Sequence, residues 1–251
     1  MARKEKIPNH VKKWQVRDEI RRKERGRPIR KFVLVVCEGV QTEPNYFKSF
    51  RDSFPKGVLD VVELEIIGEG MNTESLVQKA IDLKKKRENE TARPVDILWV
   101  VFDRDSFSEN VFNNAVTICL QQHPGIRAAW SNEAFELWYL LHLIYFDTAV
   151  RRSEYQRMLE AQLTKIMGKP FQYRKNSKDM FALLNKYGSQ DFALNNSIRL
   201  EHMWDGRKDY AKHKPRTKVY ELIQEFKDLI ERYAPSPESE NEDDSENLEA
   251  S

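Results

Sequence analysis

Residues 32–39 read FVLVVCEG, a continuous apolar run that ends in a glutamate and a glycine. An unbroken run with β-branched residues is typical of a strand that is buried on both faces, as in a parallel sheet. The Glu38-Gly39 pair predicts a turn at the carboxyl end of this strand. A second such run, DILWVVF at residues 96–102, continues directly into Asp103-Arg104-Asp105. The chain therefore contains two buried strands that both end in acidic residues.

The segments around these strands alternate between strand and helix patterns. Val58–Ile67 and Ile126–Trp130 predict two further strands, and helical spacing fills the intervals between strands. A buried helix is predicted over Phe135–Ile144. Four amphipathic helices are predicted near residues 153–167, 177–187, 191–212 and 216–232. The pattern predicts an α/β fold with a mostly parallel sheet flanked by helices and a helical C-terminal part.

The net charge of +2 is distributed unevenly along the chain. Residues 1–31 contain 13 Lys/Arg and four Asp/Glu, a net charge of +9, whereas residues 233–251 contain seven acids and no Lys or Arg. Such segments bury too little apolar surface to fold alone. The predicted organisation has four parts: a basic flexible arm (1–31), an α/β core (32–148), a helical C-terminal extension (149–232) and an acidic disordered tail (233–251).

The composition argues against several classes of protein. No run reaches the roughly 18–20 apolar residues of a membrane span, and the polar first thirty residues do not resemble a signal peptide. The two cysteines form neither a disulfide framework nor a zinc motif. The phosphate-binding motif GxxxxGK followed by Ser or Thr is absent from the sequence. We expect a reduced, cytoplasmic protein that has no membrane partner and does not hydrolyse ATP itself.

The acidic residues at the strand ends predict a metal site. Ligands of a parallel sheet bind beyond the carboxyl ends of its strands, so Glu38 can meet Asp103 and Asp105 despite their separation in sequence. Spacing by two lets both aspartates point to one site if the chain stays extended there. Carboxylates without nearby Cys or His favour Mg²⁺ or Mn²⁺ over zinc. Each acid alone is equally compatible with a helix cap or a loop ion pair, and only the combination indicates a site.

The order of strand, Glu-Gly turn, strand and Asp-x-Asp resembles the Toprim domain of topoisomerases, primases and the overcoming-lysogenization-defect nucleases. A closer resemblance, over residues 31–232, is to the RloB-like proteins of bacterial defence loci. It rests on VCEGVQTEPNYF (36–47), DRD (103–105) and SNEAFELWYLLH (131–142), with FQYRK (171–175) and KPRTKVYEL (214–222) as looser matches. The chain departs from the family pattern at Glu133-Ala134, where the family usually has Pro-Cys.

The resemblance implies a Toprim-like core over residues 32–148 and a nuclease that uses two metal ions. Its expected metal ligands are Glu38, Glu43, Asp103, Asp105 and Glu136. Lys175 is expected to contact the scissile phosphate, where a cation offsets charge that grows on the phosphoryl oxygens. The expected catalytic residues are therefore Glu38, Asp103, Asp105 and Lys175. Candidate substrate-binding residues are Ser131, Asn132 and Thr217.

Several of these positions also have a structural interpretation. Glu43 lies at a predicted helix start, where an acid suits the helix macrodipole. Ser131 or Asn132 is equally suited to cap the helix that follows, and Thr217 is suited to begin the last helix. Lys175 has basic neighbours, which is also typical of a solvated surface.

Three functions remain open at this stage. The resemblance favours a nuclease that acts on RNA (tRNA included) or DNA in anti-phage defence by abortive infection. Because the family is often encoded beside ABC-type ATPases, such an ATPase is the expected partner. A primase or topoisomerase would need a companion domain for which the sequence has no sign. A non-catalytic nucleic-acid-binding or assembly subunit that retains the Toprim fold is the alternative.

Overall fold

The computed structural model describes residues 31–70, 73–104, 108–122 and 125–234. The strands are β1 (Lys31–Cys37), β2 (Val62–Gly68), β3 (Ile97–Asp103), β4 (Ile126–Asn132) and β5 (Arg216–Thr217). The α-helices are α1 (Thr42–Asp52), α2 (Lys56–Val61), α3 (Thr73–Thr91), α4 (Glu109–Gln121), α5 (Glu136–Leu141), α6 (Arg152–Met167), α7 (Met180–Tyr187), α8 (Gln190–His202) and α9 (Val219–Tyr233). A 3₁₀ turn spans Tyr210–Lys212. The predicted arm, apart from Lys31, and the tail from residue 235 lie outside the described residues.

The five strands form one sheet in the order β2-β1-β3-β4-β5. β1, β2, β3 and β4 are parallel, and β5 pairs antiparallel with the end of β4. β1 lies between two neighbours, with Cys37 aligned to Gly68 on one side and to Val101 on the other. The predicted fold class is thus confirmed: a mostly parallel sheet flanked by helices.

Helices cover both faces of the sheet, because the apolar residues of β1 alternate between two cores. Val33 and Val35 point into a core formed with α1, α2 and the helices from α5 to α9. Leu34 and Val36 point into a second core with α3 and α4. All four side chains are fully buried, and each contributes about 1.5–3 kcal/mol relative to an exposed position. No helix in the described part of the chain combines the length and apolar character that a membrane crossing requires.

Several predicted boundaries are wrong. The last predicted helix, near 216–232, begins only at Val219, because Arg216 and Thr217 form β5, so Thr217 does not begin this helix. The predicted strand Val58–Ile67 is helix α2 in its first part, because the N–H groups of Val58 and Leu59 bond to the carbonyl of Pro55 and start a helical turn. The helix predicted over 191–212 ends at His202. Gly206 follows with a φ of +75°, a left-handed conformation that suits glycine and not a continuing helix.

The turn after β1 packs closely against the end of β2. The Glu38 N–H donates to the Val101 carbonyl (2.9 Å), which continues the pairing of β1 with β3 by one residue. A Cβ atom at Gly68 would lie 2.5 Å from the Gly39 carbonyl oxygen, so only glycine fits there. The sheet therefore fixes Glu38 at its carboxyl edge, beside the end of β3.

Candidate active site

The structure brings Glu38 and Asp103 together at the carboxyl edge of the sheet. Glu38 follows β1, and its Oε2 atom accepts a hydrogen bond from the Asp103 N–H (3.0 Å). Asp103 is the last residue of β3 and is only 3% exposed. Asp105, the third residue of the predicted set, lies outside the described residues.

The two carboxylate oxygens of Asp103 have different surroundings. Oδ2 accepts hydrogen bonds from the Phe135 N–H (3.0 Å) and from Nη2 of Arg152 (2.5 Å). Oδ1 is buried and accepts no hydrogen bond from the part of the chain that the structure describes. Burial raises the pKa of Asp103 well above its ordinary value, Glu43 raises it further, and Arg152 opposes the shift. A buried acceptor of this kind is costly unless a ligand satisfies it.

Glu43 is the second buried carboxylate of the site. It lies in the first turn of α1 and is 6% exposed. Burial raises its pKa, and the charge of Glu136 adds to the shift, whereas its own backbone N–H, Arg152 and Lys175 lower it. The carboxylate of Glu43 occupies the space that a side chain at residue 39 would need, so a larger residue there would require Glu43 to move.

Glu136, at the start of α5, is the most deeply buried acid of the site, at 1% exposure. Its Oε1 atom accepts from Nε2 of Gln156 (2.8 Å) and from the Tyr173 hydroxyl (3.3 Å). Its Oε2 atom lies 3.5 Å from Nε of Arg152. Other protein groups therefore satisfy this buried carboxylate, which would be costly without partners. Its role as a metal ligand stays a prediction.

Arg152 is the residue of this site that sequence reasoning missed. It begins α6 and places its guanidinium between Asp103 and Glu136. A cation in the first turn of a helix opposes the macrodipole, so its position was a weak signal that the side chain has an acidic partner. We refer to Glu38, Glu43, Asp103 and Glu136 as the acidic cluster.

The loop before α7 brings Lys175 to the acidic cluster. The Thr42 hydroxyl donates to the Lys175 carbonyl (2.7 Å), and Nδ2 of Asn45 donates to the Asn176 carbonyl (3.3 Å), so the loop lies along the start of α1. The Lys175 side chain is exposed, and its charge acts on Glu43. An exposed ammonium beside buried carboxylates is available to an anionic substrate.

Ser131, Asn132 and Thr217 lie where β4 pairs with β5, and their side chains are fully buried. The hydroxyls of Ser131 and Thr217 share a hydrogen bond (3.0 Å), and Nδ2 of Asn132 donates to the Ala211 carbonyl (2.8 Å). Substrate binding by these residues stays a prediction. The interpretation of Ser131 or Asn132 as a helix cap is wrong, because both belong to β4 and α5 begins only at Glu136.

The acidic cluster suits a hard cation in its chemistry but does not form a complete binding site by itself. Among the described residues, no three Asp, Glu, His or Cys side chains converge closely enough to hold a metal ion. The donors are nevertheless all carboxylates, which Mg²⁺ and Mn²⁺ prefer. Asp103 Oδ1 is the buried acceptor that a cation would satisfy, and Asp105 is two residues away in sequence.

Without metal, ionisation of Asp103 and Glu43 should cost stability as the pH rises. The pKa values of Asp103 and Glu43 are raised from 3.8 and 4.5, so the folded state holds more protons than the unfolded state above these values. The free energy of unfolding must then fall as the pH rises from about 4 through the raised pKa values. We expect Asp103→Asn to gain thermal stability relative to the wild type between pH 5 and pH 8 in EDTA. A difference in Tm that does not change with pH would contradict this.

The chain matches a known protein family. The family model for the RloB-like protein matches residues 33–226, which run from β1 into α9. The match contains the whole acidic cluster, Arg152 and Lys175. No curated protein and no solved structure matches the chain. Because the family model covers most of the sequence, this chain belongs to the RloB-like family.

Proposed function

We propose that this protein is a Toprim-type, metal-dependent nuclease that cleaves phosphodiester bonds in RNA or DNA. The observation that supports it most is the contact of Glu38 with the buried Asp103 at the carboxyl edge of a parallel sheet, with Asp103 Oδ1 unsatisfied by the described residues. Ligands of such sheets bind at this edge. The exposed Lys175 adds the cation that a phosphodiester would contact.

In this proposal the acidic residues bind the metal ions and Lys175 contacts the phosphate. Glu38, Glu43, Asp103 and Asp105 would hold Mg²⁺ or Mn²⁺, as two ions, with Glu136 as a further ligand. When bound there, the ions would supply an activated water and a positive charge beside the leaving oxygen. Glu38 also accepts the Asp103 N–H and so ties the ends of β1 and β3 together. Lys175 would neutralise charge on the phosphoryl oxygens.

A direct assay tests the activity. Purified protein is incubated with total RNA, plasmid DNA and single-stranded DNA in the presence of Mg²⁺, Mn²⁺ or EDTA. We expect cleavage of at least one substrate class with a divalent cation and none in EDTA. Intact substrates under every condition, with a folded protein, would contradict the proposal.

A non-catalytic nucleic-acid-binding or assembly subunit is the second candidate. The pairing of Arg152 with Asp103 favours it, because an arginine satisfies one oxygen of a predicted metal ligand from within the protein. This candidate predicts nucleic-acid binding that is unaffected by EDTA and no cleavage. The same assay, combined with a binding measurement, therefore separates the two functions.

The family resemblance supports a proposal for the biological setting. We propose that the protein acts in the cytoplasm in anti-phage defence, by abortive infection, and is controlled by an ABC-type ATPase encoded nearby. The sequence has no nucleotide-binding motif GxxxxGK followed by Ser or Thr, so ATP hydrolysis would belong to the partner. Co-expression with the neighbouring ATPase should yield a complex whose nuclease activity depends on ATP.

Lys175→Ala should lower turnover more than substrate affinity. Its charge is needed most where negative charge develops on the phosphate, and loss of one such group costs about a hundredfold or more in kcat. Single-turnover rates and binding constants measured in parallel give the split. Lys178→Ala, another exposed lysine of the same loop, is the matched control and should behave as wild type. If Lys175→Ala keeps wild-type turnover, Lys175 is an ordinary surface residue.

A further inference from the structure

Arg152 contacts two acids of the cluster at once. Its Nη2 atom donates a hydrogen bond to Asp103 Oδ2 (2.5 Å), and its Nε atom forms an ion pair with Glu136 Oε2 (3.5 Å) that lacks the geometry of a hydrogen bond. The guanidinium is a planar fork with donors in fixed directions. Asp103 and Glu136 are 3% and 1% exposed, so this fork joins two carboxylates inside the protein.

Both acids are fixed from a second side as well. Asp103 Oδ2 also accepts the Phe135 N–H, which is backbone and cannot turn away. Glu136 is held by Gln156, from the second turn of α6, and by Tyr173. Arg152 and Gln156 lie one helical turn apart, so α6 presents a donor to each of these acids from the same face of the helix.

These contacts leave one oxygen of Asp103 for a ligand. With Oδ2 occupied by Phe135 and Arg152, the carboxylate plane is set, and the buried Oδ1 accepts no hydrogen bond from any described residue. A cation that binds Oδ1 does not need to displace Arg152. Metal-binding carboxylates commonly keep such an outer hydrogen bond on their second oxygen, and the outer partner fixes their orientation.

We propose that Arg152 is a positioning residue: bridging Asp103 and Glu136, it holds Asp103 with Oδ1 turned toward the metal. The inference rests on the proposed metal-dependent function and assigns Arg152 a role in it. In the alternative role, the guanidinium competes with the metal ion for the carboxylates and occupies its place. The two roles predict opposite effects of removing the arginine, since loss of a competing cation strengthens metal binding and loss of orientation weakens it.

The test measures Mn²⁺ affinity by electron paramagnetic resonance or calorimetry, without nucleic acid, in wild type, Arg152→Met and Arg152→Lys. Positioning by a hydrogen bond to Asp103 together with an ion pair to Glu136 predicts that both variants bind Mn²⁺ about 10–100-fold more weakly. Lysine keeps the charge but not the fork, so it should not rescue binding. Arg151→Met is the matched control, because Arg151 is the exposed neighbour just before α6, and it should bind as wild type.

Any other set of Mn²⁺ affinities would reject either the positioning role of Arg152 or the metal-dependent function. Tighter Mn²⁺ binding by Arg152→Met would make the arginine a competitor and overturn positioning. Wild-type affinity in both folded variants, checked by circular dichroism, would also overturn it while leaving the metal site intact. Full affinity in Arg152→Lys alone would mean that charge and not orientation matters, which again rejects the proposal. A wild-type protein that binds no Mn²⁺ would instead refute the metal-dependent function, and the role of Arg152 with it.

Discussion

Glu38→Gln and Asp103→Asn should each abolish metal-dependent cleavage and leave a folded protein. Both substitutions remove a negative charge and keep the size of the side chain. The amide oxygen of the substituted side chain can still accept the bonds that the carboxylate now accepts, from the Asp103 N–H in the first variant and from Phe135 and Arg152 in the second. Loss of an outer partner of a metal ligand costs about 10–100-fold, so loss of the ligand charge itself should cost more.

Asp96→Asn is the control for these two variants. Asp96 precedes β3, at the end of the strand opposite to Asp103, and its Oδ2 accepts the Phe32 N–H (2.8 Å). It thus resembles Glu38 in bonding to the N–H of a neighbouring strand, but it lies at the amino edge of the sheet. Its asparagine variant should cleave as the wild type does. Undiminished cleavage by Glu38→Gln or Asp103→Asn would refute the Toprim-type assignment.

The sequence predicted those parts of the fold whose signal is local and continuous. β1 and β3 are apolar without interruption because both of their faces are covered by helices, and this pattern identified them and their parallel pairing. Once two parallel strands each end in an acid, the sheet itself brings the acids to one edge. The contact between Glu38 and Asp103 follows from this rule, although 65 residues separate them.

The parts that the sequence did not predict depend on contacts between distant segments. β5 has two residues and no periodic pattern, and it is a strand only because it pairs with Ser131 and Asn132. Arg152 belongs to the site because α6 packs against α5, and apart from its unfavourable position in the first turn of α6 no local feature indicates this contact. Lys175 was found through the family motif alone. Its position beside α1 depends on a bond from Thr42, 133 residues away.

Deleting residues 1–30 should weaken nucleic-acid binding and flatten its dependence on salt. With Lys31 the segment carries 13 Lys/Arg, and phosphate backbones are the obvious partner for such a density of cations. Each neutralised phosphate contributes about −0.7 to the log–log salt slope on single strands and about −0.9 on duplex DNA. If six of these cations contact phosphates, the slope on single strands should therefore become shallower by about 4. Lys31 is kept because it begins β1 and pairs with Asp96 (3.7 Å).

The same deletion should leave turnover at saturating substrate unchanged, since the acidic cluster, Arg152 and Lys175 all lie between β1 and α7. Removal of residues 235–251 is the matched control: it takes away acids instead of cations, and it should not make the slope shallower. If the arm pairs with this tail, removing the tail frees the arm, and nucleic-acid binding becomes tighter and more sensitive to salt. Equal salt slopes for the wild type and the arm deletion would mean that the arm does not contact nucleic acid. The arm would then be expected to bind an acidic surface on a protein partner.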